Sequence, residues 1–194
     1  MAGWIVGIDE AGRGPLAGPV TVAAVAVIPT YKLQTTNCQL RDSKQLTAQQ
    51  REAIYGVITS NKNIRWACAS VGSFVIDRIG IVAALDLAVA RVLEKLFPNP
   101  YSLIPFVLLD GSLYAPRHFR QCTLIKGDEQ IGLIAAASIV AKVRRDALMV
   151  QHHRRFPQYG FEQHKGYGTR LHYKALKQFG PCPLHRRTFL AKTS

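Results

Sequence analysis

Apolar residues in this chain fall into short runs separated by polar and glycine-rich punctuation. Residues 4–9 and 20–28 are rich in Val, Ile and Ala, which predicts two central, buried strands paired antiparallel. Pro29 closes the second, and residues 30–46 are polar and irregular. Thr47-Ala48-Gln49-Gln50 has the spacing of a capping box, so a helix is expected from there to about residue 59, burying Ile54, Val57 and Ile58. Beyond the turn at Asn61-Lys62-Asn63, residues 64–71 alternate. Ile64, Trp66, Cys68 and Ser70 face one side, and Arg65, Ala67, Ala69 and Val71 the other.

Residues 74–97 carry helical spacing, with Ile81, Leu85, Ala88, Val92 and Leu96 in one stripe, stopped by Pro98 and Pro100. Residues 106–109 predict a short apolar strand tipped by Asp110-Gly111, and residues 121–125 another, ending at Lys126-Gly127-Asp128. A long helix is expected over 129–155. Its buried face would be Ile131, Ala135, Ile139, Val143, Ala147 and Val150, with Ser138, Lys142, Arg145 and Met149 on a different face. Thr169 is placed to cap a last helix ending at Gly180-Pro181. Strands and helices interleave, so the class is α/β.

Composition narrows the setting. At 194 residues, 48% hydrophobic and 19% charged, the chain can bury a core as a single domain. Four dispersed cysteines, with no C-x-x-C, argue against a disulfide framework or a four-cysteine zinc site. Reduced thiols, no basic leader and no apolar run long enough for a bilayer lead to the expectation of a cytoplasmic protein. Cys182 and His185 alone do not make a zinc site and read as structural. The net charge is +13, and residues 142–194 hold twelve Lys/Arg against Asp146 and Glu162. A basic surface gathered in one part of the chain predicts a polyanionic partner, with nucleic acid the best fit.

Four acids stand where chemistry is expected. Asp9 and Glu10 end the first strand, Asp110 ends a later one, and Asp128 follows another. Carboxylates gathered at strand ends repel one another unless cations neutralise them, and oxygen-only ligation suits Mg²⁺ or Mn²⁺. Read singly, Asp110-Gly111 is a turn and Asp128 a helix cap. Asp9 and Glu10 are costlier to place at a buried strand end. Neighbours in an ideal strand point to opposite faces, so Asp9 and Glu10 can share a site only if the chain bends there, which small Ala11 and Gly12 make possible. The loop Gly12-Arg13-Gly14 lacks the Gly-Lys-Ser/Thr of a P-loop and leads into a strand, which also excludes a dinucleotide fingerprint. Its glycines permit backbone to lie against a sugar or phosphate.

These motifs, taken in order, resemble ribonuclease HII of the bacterial type. They are G-I-D-E-A-G-R-G-P at 7–15, L-L-D-G at 108–111, K-G-D at 126–128, A-A-A-S-I-V-A-K-V-R-R-D at 135–146, and Q-Y-G-F-E-Q-H-K-G-Y-G-T at 158–169. H-R-R-T-F at 185–189 completes the set, with Thr188 where Ser is common. The resemblance implies a ribonuclease H-like fold, a mixed central sheet flanked by helices. A C-terminal basic segment, about 156–194, would lie over the substrate groove.

It further implies endonucleolytic cleavage of RNA in RNA–DNA hybrids and at single ribonucleotides in duplex DNA, by two divalent ions, Mn²⁺ or Mg²⁺, leaving 5′-phosphate and 3′-hydroxyl ends. By motif, Asp9, Glu10, Asp110 and Asp128 would be the metal-binding carboxylates. Gly12, Arg13 and Gly14 would sense the 2′-hydroxyl, and Tyr167 would pack against the sugar at the ribose–deoxyribose junction. Lys44 and Lys142 would contact phosphates. Asp146 reads as an ion-pair partner of Lys142, and the protein is expected to be a monomer. Competing readings are a catalytically silent basic nucleic-acid-binding protein of this fold and a junction-resolving nuclease. The acid quartet disfavours the first, the Gly-Arg-Gly loop and Tyr167 the second.

Overall fold

A computed structural model describes residues 3–31, 46–99 and 104–191. The predicted phosphate contact Lys44 lies outside the described residues.

Five strands form one mixed sheet in the order β3-β2-β1-β4-β5. They are β1 (Ile5–Ala11), β2 (Val20–Val27), β3 (Arg65–Val71), β4 (Phe106–Asp110) and β5 (Arg120–Leu124). The β1–β2 and β2–β3 pairs are antiparallel, while β4 joins β1, and β5 joins β4, in parallel. Every residue of β2 is buried, as a sequence apolar except for Thr21 requires of a strand covered on both faces, and Thr21 pairs its hydroxyl with that of Ser70.

The helices are α1 (Ala48–Ser60), α2 (Ser73–Leu96), α3 (Gly127–Gln130), α4 (Gly132–Arg155), α5 (Phe161–His164), α6 (Arg170–Phe179) and α7 (Arg187–Leu190). One face of the sheet, through Val6, Ile8, Val22, Ala24, Ala67 and Ala69, packs on α2. The other, through Ala23, Val25 and Val27, packs on α1 and α4. The alternation expected in β3 is observed, since Ile64, Trp66 and Cys68 join the α1–α4 side and Ala67, Ala69 and Val71 the α2 side.

The α4 backbone lies directly on β1. A Cβ at Gly7 would stand 2.5 Å from the Leu133 carbonyl carbon, so only glycine admits the helix there. The capping box at Thr47 and Gln50 forms, and Thr169 caps α6 by accepting from the His172 amide.

Four expectations need correction. The helix foreseen over 129–155 breaks at Ile131, whose extended backbone separates α3 from α4. The α4 stripe also rotates along its length. Leu133 to Ala137 are all buried, but further on Arg145 and Met149 are buried while Ala147 and Val150 are exposed. The second half of α4 leaves the sheet and packs beneath the loop after β1 and the C-terminal segment, which changes its inward face. In α1, Ile58 alone is buried and Val57 is 54% exposed. Finally, α2 is kinked at Gly80, whose φ of 81° lies outside the helical region.

The C-terminal segment docks on this frame. Tyr159, Phe161 and Ala175 bury themselves with Met149 of α4 and Ala17 of the first loop. Among the described residues no helix is long and apolar enough to cross a membrane.

Candidate active site and nucleic-acid groove

Parallel pairing of β1 and β4 ends with Ile8 opposite Leu109. Asp9 and Asp110 are the next residue of each strand, so the sheet itself brings two distant acids side by side. Asp9 is 5% exposed. Its carboxyl is pushed well above the usual carboxylate range by burial, then by the charges of Glu10 and Asp110, against a lowering hydrogen bond from Ser138. Glu10 is raised for the same first reason, with Arg13 opposing and Asp110 adding to it. Asp110 Oδ1 accepts from the Gly127 amide at 2.6 Å and the Asp128 amide at 3.4 Å. Asp128 is itself 3% exposed. Asp9, Glu10 and Asp110 therefore feel one another's charge at one end of the sheet, and Asp128 joins them there through its main-chain amide against Asp110.

The expected bend between Asp9 and Glu10 is absent. Antiparallel pairing continues through Glu10 opposite Val22 and Ala11 opposite Thr21, and the chain turns only at Gly12, with φ 88°. Because β4 no longer pairs with β1 beyond Ile8, that edge of Glu10 is left open. Glu10 borders the same open cavity, about 390 Å³, as Ser138 and Ile139 of α4.

Gly12, Arg13, Gly14, Lys142 and Tyr167 line that cavity too, with Arg51 from α1. Arg13 Nη1 donates to Ser112 Oγ at 2.6 Å and lies 3.7 Å from Glu10 Oε1, tying the loop after β1 to the loop after β4. Lys142 Nζ sits 3.0 Å from Asp146 Oδ1 and 5.8 Å from the centre of the Tyr167 ring. Asp146 is thus the partner of Lys142, as its spacing suggested. A second cavity continues past Lys142 and Tyr167 between α1, α4 and α5.

Two buried arginines hold the loop from beneath, and sequence reading missed their role. Arg186, 0% exposed, donates to the carbonyls of Gly12 at 2.6 Å, Arg13 at 2.8 Å and Gly18 at 3.0 Å. Arg145, also 0% exposed, donates to Pro19 at 3.0 Å and Lys165 at 3.0 Å. Burial, then the charge of Arg145, push Arg186 down to about 9, which still leaves it charged at neutral pH. Gly12 touches this support directly, since a Cβ there would fall 1.8 Å from Arg145 Nε. Around Gly14 there is open space.

The backbone of Tyr167 is fixed on both sides. Gly166, φ 86°, accepts from the Leu16 amide at 2.9 Å, and a Cβ on it would meet the Ala17 carbonyl oxygen at 2.3 Å. The Tyr167 carbonyl accepts from the Thr169 amide and from His172 Nδ1, each at 2.9 Å.

Carboxylate oxygens alone make this donor set, and burial with mutual repulsion raises Asp9 and Glu10, a cost that a hard cation relieves. The chemistry fits a divalent ion. Among the described residues no three such side chains already stand as a finished cage, so the carboxylates would close around the ion.

Residues 6–192 match the ribonuclease HII family. The chain belongs to that family. It is 46% identical over 188 residues to ribonuclease HII of Geotalea daltonii, covering 95% of this chain and 82% of that protein. To ribonuclease HII of Chlamydia caviae it is 42% identical over 185 residues, covering 95% and 83%. Among solved structures it resembles ribonuclease HII from Archaeoglobus fulgidus, determined in complex with PCNA. The TM-score there is 0.76 at 26% identity, over 94% of this chain and 93% of that one. Bst-RNase HIII in complex with Mn²⁺ shares the fold, with TM-score 0.75 at 21% identity over 100% and 71%. The chain is accordingly a ribonuclease H hydrolase, an endonuclease acting on the RNA of RNA–DNA hybrids, in a metal-dependent family with a ribonuclease H-like fold.

Proposed function

We propose that this enzyme cuts both RNA–DNA hybrids and duplex DNA containing single ribonucleotides, with Asp9, Glu10, Asp110 and Asp128 as its metal ligands. The observation that carries this reading is one cavity bordered at once by Glu10, by Gly12 to Gly14, and by Tyr167.

Two divalent ions, Mn²⁺ or Mg²⁺, would supply activation of a water and balance charge on the leaving oxygen, leaving 5′-phosphate and 3′-hydroxyl ends. The residues of the chain do the rest. Asp110 gives one oxygen to the Gly127 amide and keeps the other for a cation. Arg186 draws the carbonyls of Gly12 and Arg13 inward, which turns loop amides toward the cavity, where a 2′-hydroxyl oxygen can accept. Tyr167, 43% exposed, offers its ring as a face for the sugar at the junction. Lys142 and, beyond the described residues, Lys44 are assigned to phosphates. The C-terminal segment, about 156–194, is read as the basic substrate-binding side of a monomer. Free thiols at Cys68, Cys122 and Cys182 suit a cytoplasmic setting.

Cleavage mapping on a duplex with one ribonucleotide, an all-DNA control and a hybrid, each with Mg²⁺ or Mn²⁺, tests this. Incision at the ribonucleotide but not in the control is expected. Equal incision of the control would defeat the sensing assignment.

A further inference from the structure

Three buried histidines form a cluster behind Tyr167 that the proposed chemistry does not use. His164, His172 and His185 come from α5, α6 and the turn before α7, and are 9%, 0% and 2% exposed. His164 and His172 stack with centroids 4.4 Å apart, and His172 Nε2 lies 2.9 Å from His185 Nε2. Phe161 meets the His164 and His172 rings edge-on.

Hydrogen bonds determine which nitrogen of each ring carries the proton. The Cys182 amide donates to His185 Nδ1 at 2.9 Å, so the proton of His185 is on Nε2. That proton is directed at His172 Nε2, which must then accept, leaving His172 protonated at Nδ1. His172 Nδ1 donates to the Tyr167 carbonyl at 2.9 Å. His185 Nδ1 also lies 3.3 Å from the Cys182 carbonyl, but the opposite sense would leave His172 Nδ1 facing the Tyr167 carbonyl with no hydrogen, and would set a second N–H against the closer Cys182 amide. His164 follows the same logic. Gly166 donates to its Nδ1 at 3.2 Å, and its Nε2 donates to the Tyr159 carbonyl at 2.7 Å.

We propose that the one-directional chain Cys182 N–H to His185 to His172 to the Tyr167 carbonyl, with His164 holding Gly166, positions Tyr167 for recognition of the ribose–deoxyribose junction. Each ring is neutral and both its nitrogens are used, so the chain has a single proton arrangement. His172 and His185 act through Tyr167 and do not reach the substrate cavity. Their part is to fix the backbone from which the Tyr167 ring projects toward Lys142 and the Gly12–Gly14 loop. A packing role alone would need only rings of this shape. The chain needs a donor at Nδ1 of position 172.

This inference rests on Tyr167 as the junction-sensing residue, and a double-mutant cycle separates the two ideas. The measured quantity is kcat/KM on a duplex with one ribonucleotide divided by that on an RNA–DNA hybrid, for Tyr167→Ala, His172→Leu and the double variant. His172→Leu is expected to lower the ratio roughly tenfold, the worth of one positioned hydrogen bond. It should add nothing in the Tyr167→Ala background. His172→Asn, which keeps a donor near Nδ1, should restore most of the ratio. If Tyr167→Ala leaves the ratio unchanged, the sensing assignment fails. If Tyr167→Ala lowers it while His172→Leu does not, or the two effects multiply, the positioning role fails. Should the His172 variants not fold, ¹⁵N NMR of the wild-type protein decides. Protons on Nε2 of His164 and His185 and on Nδ1 of His172 at neutral pH support the chain, and any other set overturns it.

Discussion

Arg186 Nη2 donates to the carbonyl of Gly12 at 2.6 Å from a side chain that is wholly buried. The same guanidinium serves Arg13 and Gly18, so one residue near the C-terminal end sets the shape of a loop 168 to 174 positions earlier. Arg186→Met would leave three carbonyls without that donor, at about 1–3 kcal/mol for each one that stays buried and unsatisfied. Urea unfolding should show a loss of that order, with Arg186→Lys recovering part of it. An unchanged midpoint for Arg186→Met would contradict the account.

The two glycines of the loop should behave differently. Gly12 combines a φ of 88° with contact against Arg145, so Gly12→Ala is expected to cost about 2 kcal/mol or more in stability. Gly14 has open space around it, and Gly14→Ala should fold with an unaltered melting temperature. On the proposed sensing role it should nonetheless slow cutting at a single ribonucleotide, because the added methyl group would stand in the way of the sugar. Full activity for Gly14→Ala would show that nothing comes close there.

Asp110→Asn keeps an Oδ1 acceptor for the Gly127 amide, so the fold is expected to survive. Cleavage should fall by more than about a hundredfold, beyond what the loss of an outer partner usually costs. Circular dichroism and hybrid binding by gel shift check the first part, and single-turnover cleavage the second. Retained cleavage would remove Asp110 from the metal set.

Lys142 is held 3.0 Å from Asp146. Asp146→Asn would release its charge for phosphate, so hybrid binding should tighten at low salt. Lys142→Met should weaken it and reduce the slope of log K against log salt by about 1. Identical slopes for Lys142→Met and wild type would exclude a phosphate contact there.

The histidine cluster gives stability a pH dependence. Burial holds His172 down to about 4, against an ordinary value of 6.5, and lowers His164 and His185 as well. In this window the unfolded chain binds more protons than the folded one, so stability is full above about pH 6.5 and declines as the pH falls toward 4. Nearby Lys165 and His153 further oppose protonation of His164. Urea midpoints at pH 7.5 and 5 should differ in that direction. His172→Asn should reduce the difference, and an equal pH response in that variant would shift the cause elsewhere.

Much of this was legible in the chain because strands rich in Val, Ile and Ala, capping residues at Thr47 and Thr169, and acids at strand ends each have a local signature. The ordered motifs carried the family and the quartet of acids. Arg145 and Arg186 escaped for a physical reason. Charged side chains read as surface unless paired with acids, whereas here main-chain carbonyls of the loop are their partners. The break at Ile131 and the turning of the α4 stripe also escaped. They depend on what covers each part of the helix, which periodicity alone does not encode. The anticipated bend after Asp9 followed from ideal strand geometry and overlooked that pairing with β4 ends at Ile8, which opens one edge of β1.

Gly7 gives the site an alignment peg. Strand β1 carries Asp9 and Glu10, while α4 carries Ser138, Lys142 and Arg145, and the two meet backbone against backbone where Gly7 faces Leu133. The depth at which Asp9 and Glu10 sit relative to α4 is therefore fixed by main-chain atoms. Side chains around the groove can be exchanged to retune what it grips without shifting the acids. A single methyl group at position 7, remote from any substrate, would instead move the two walls apart together.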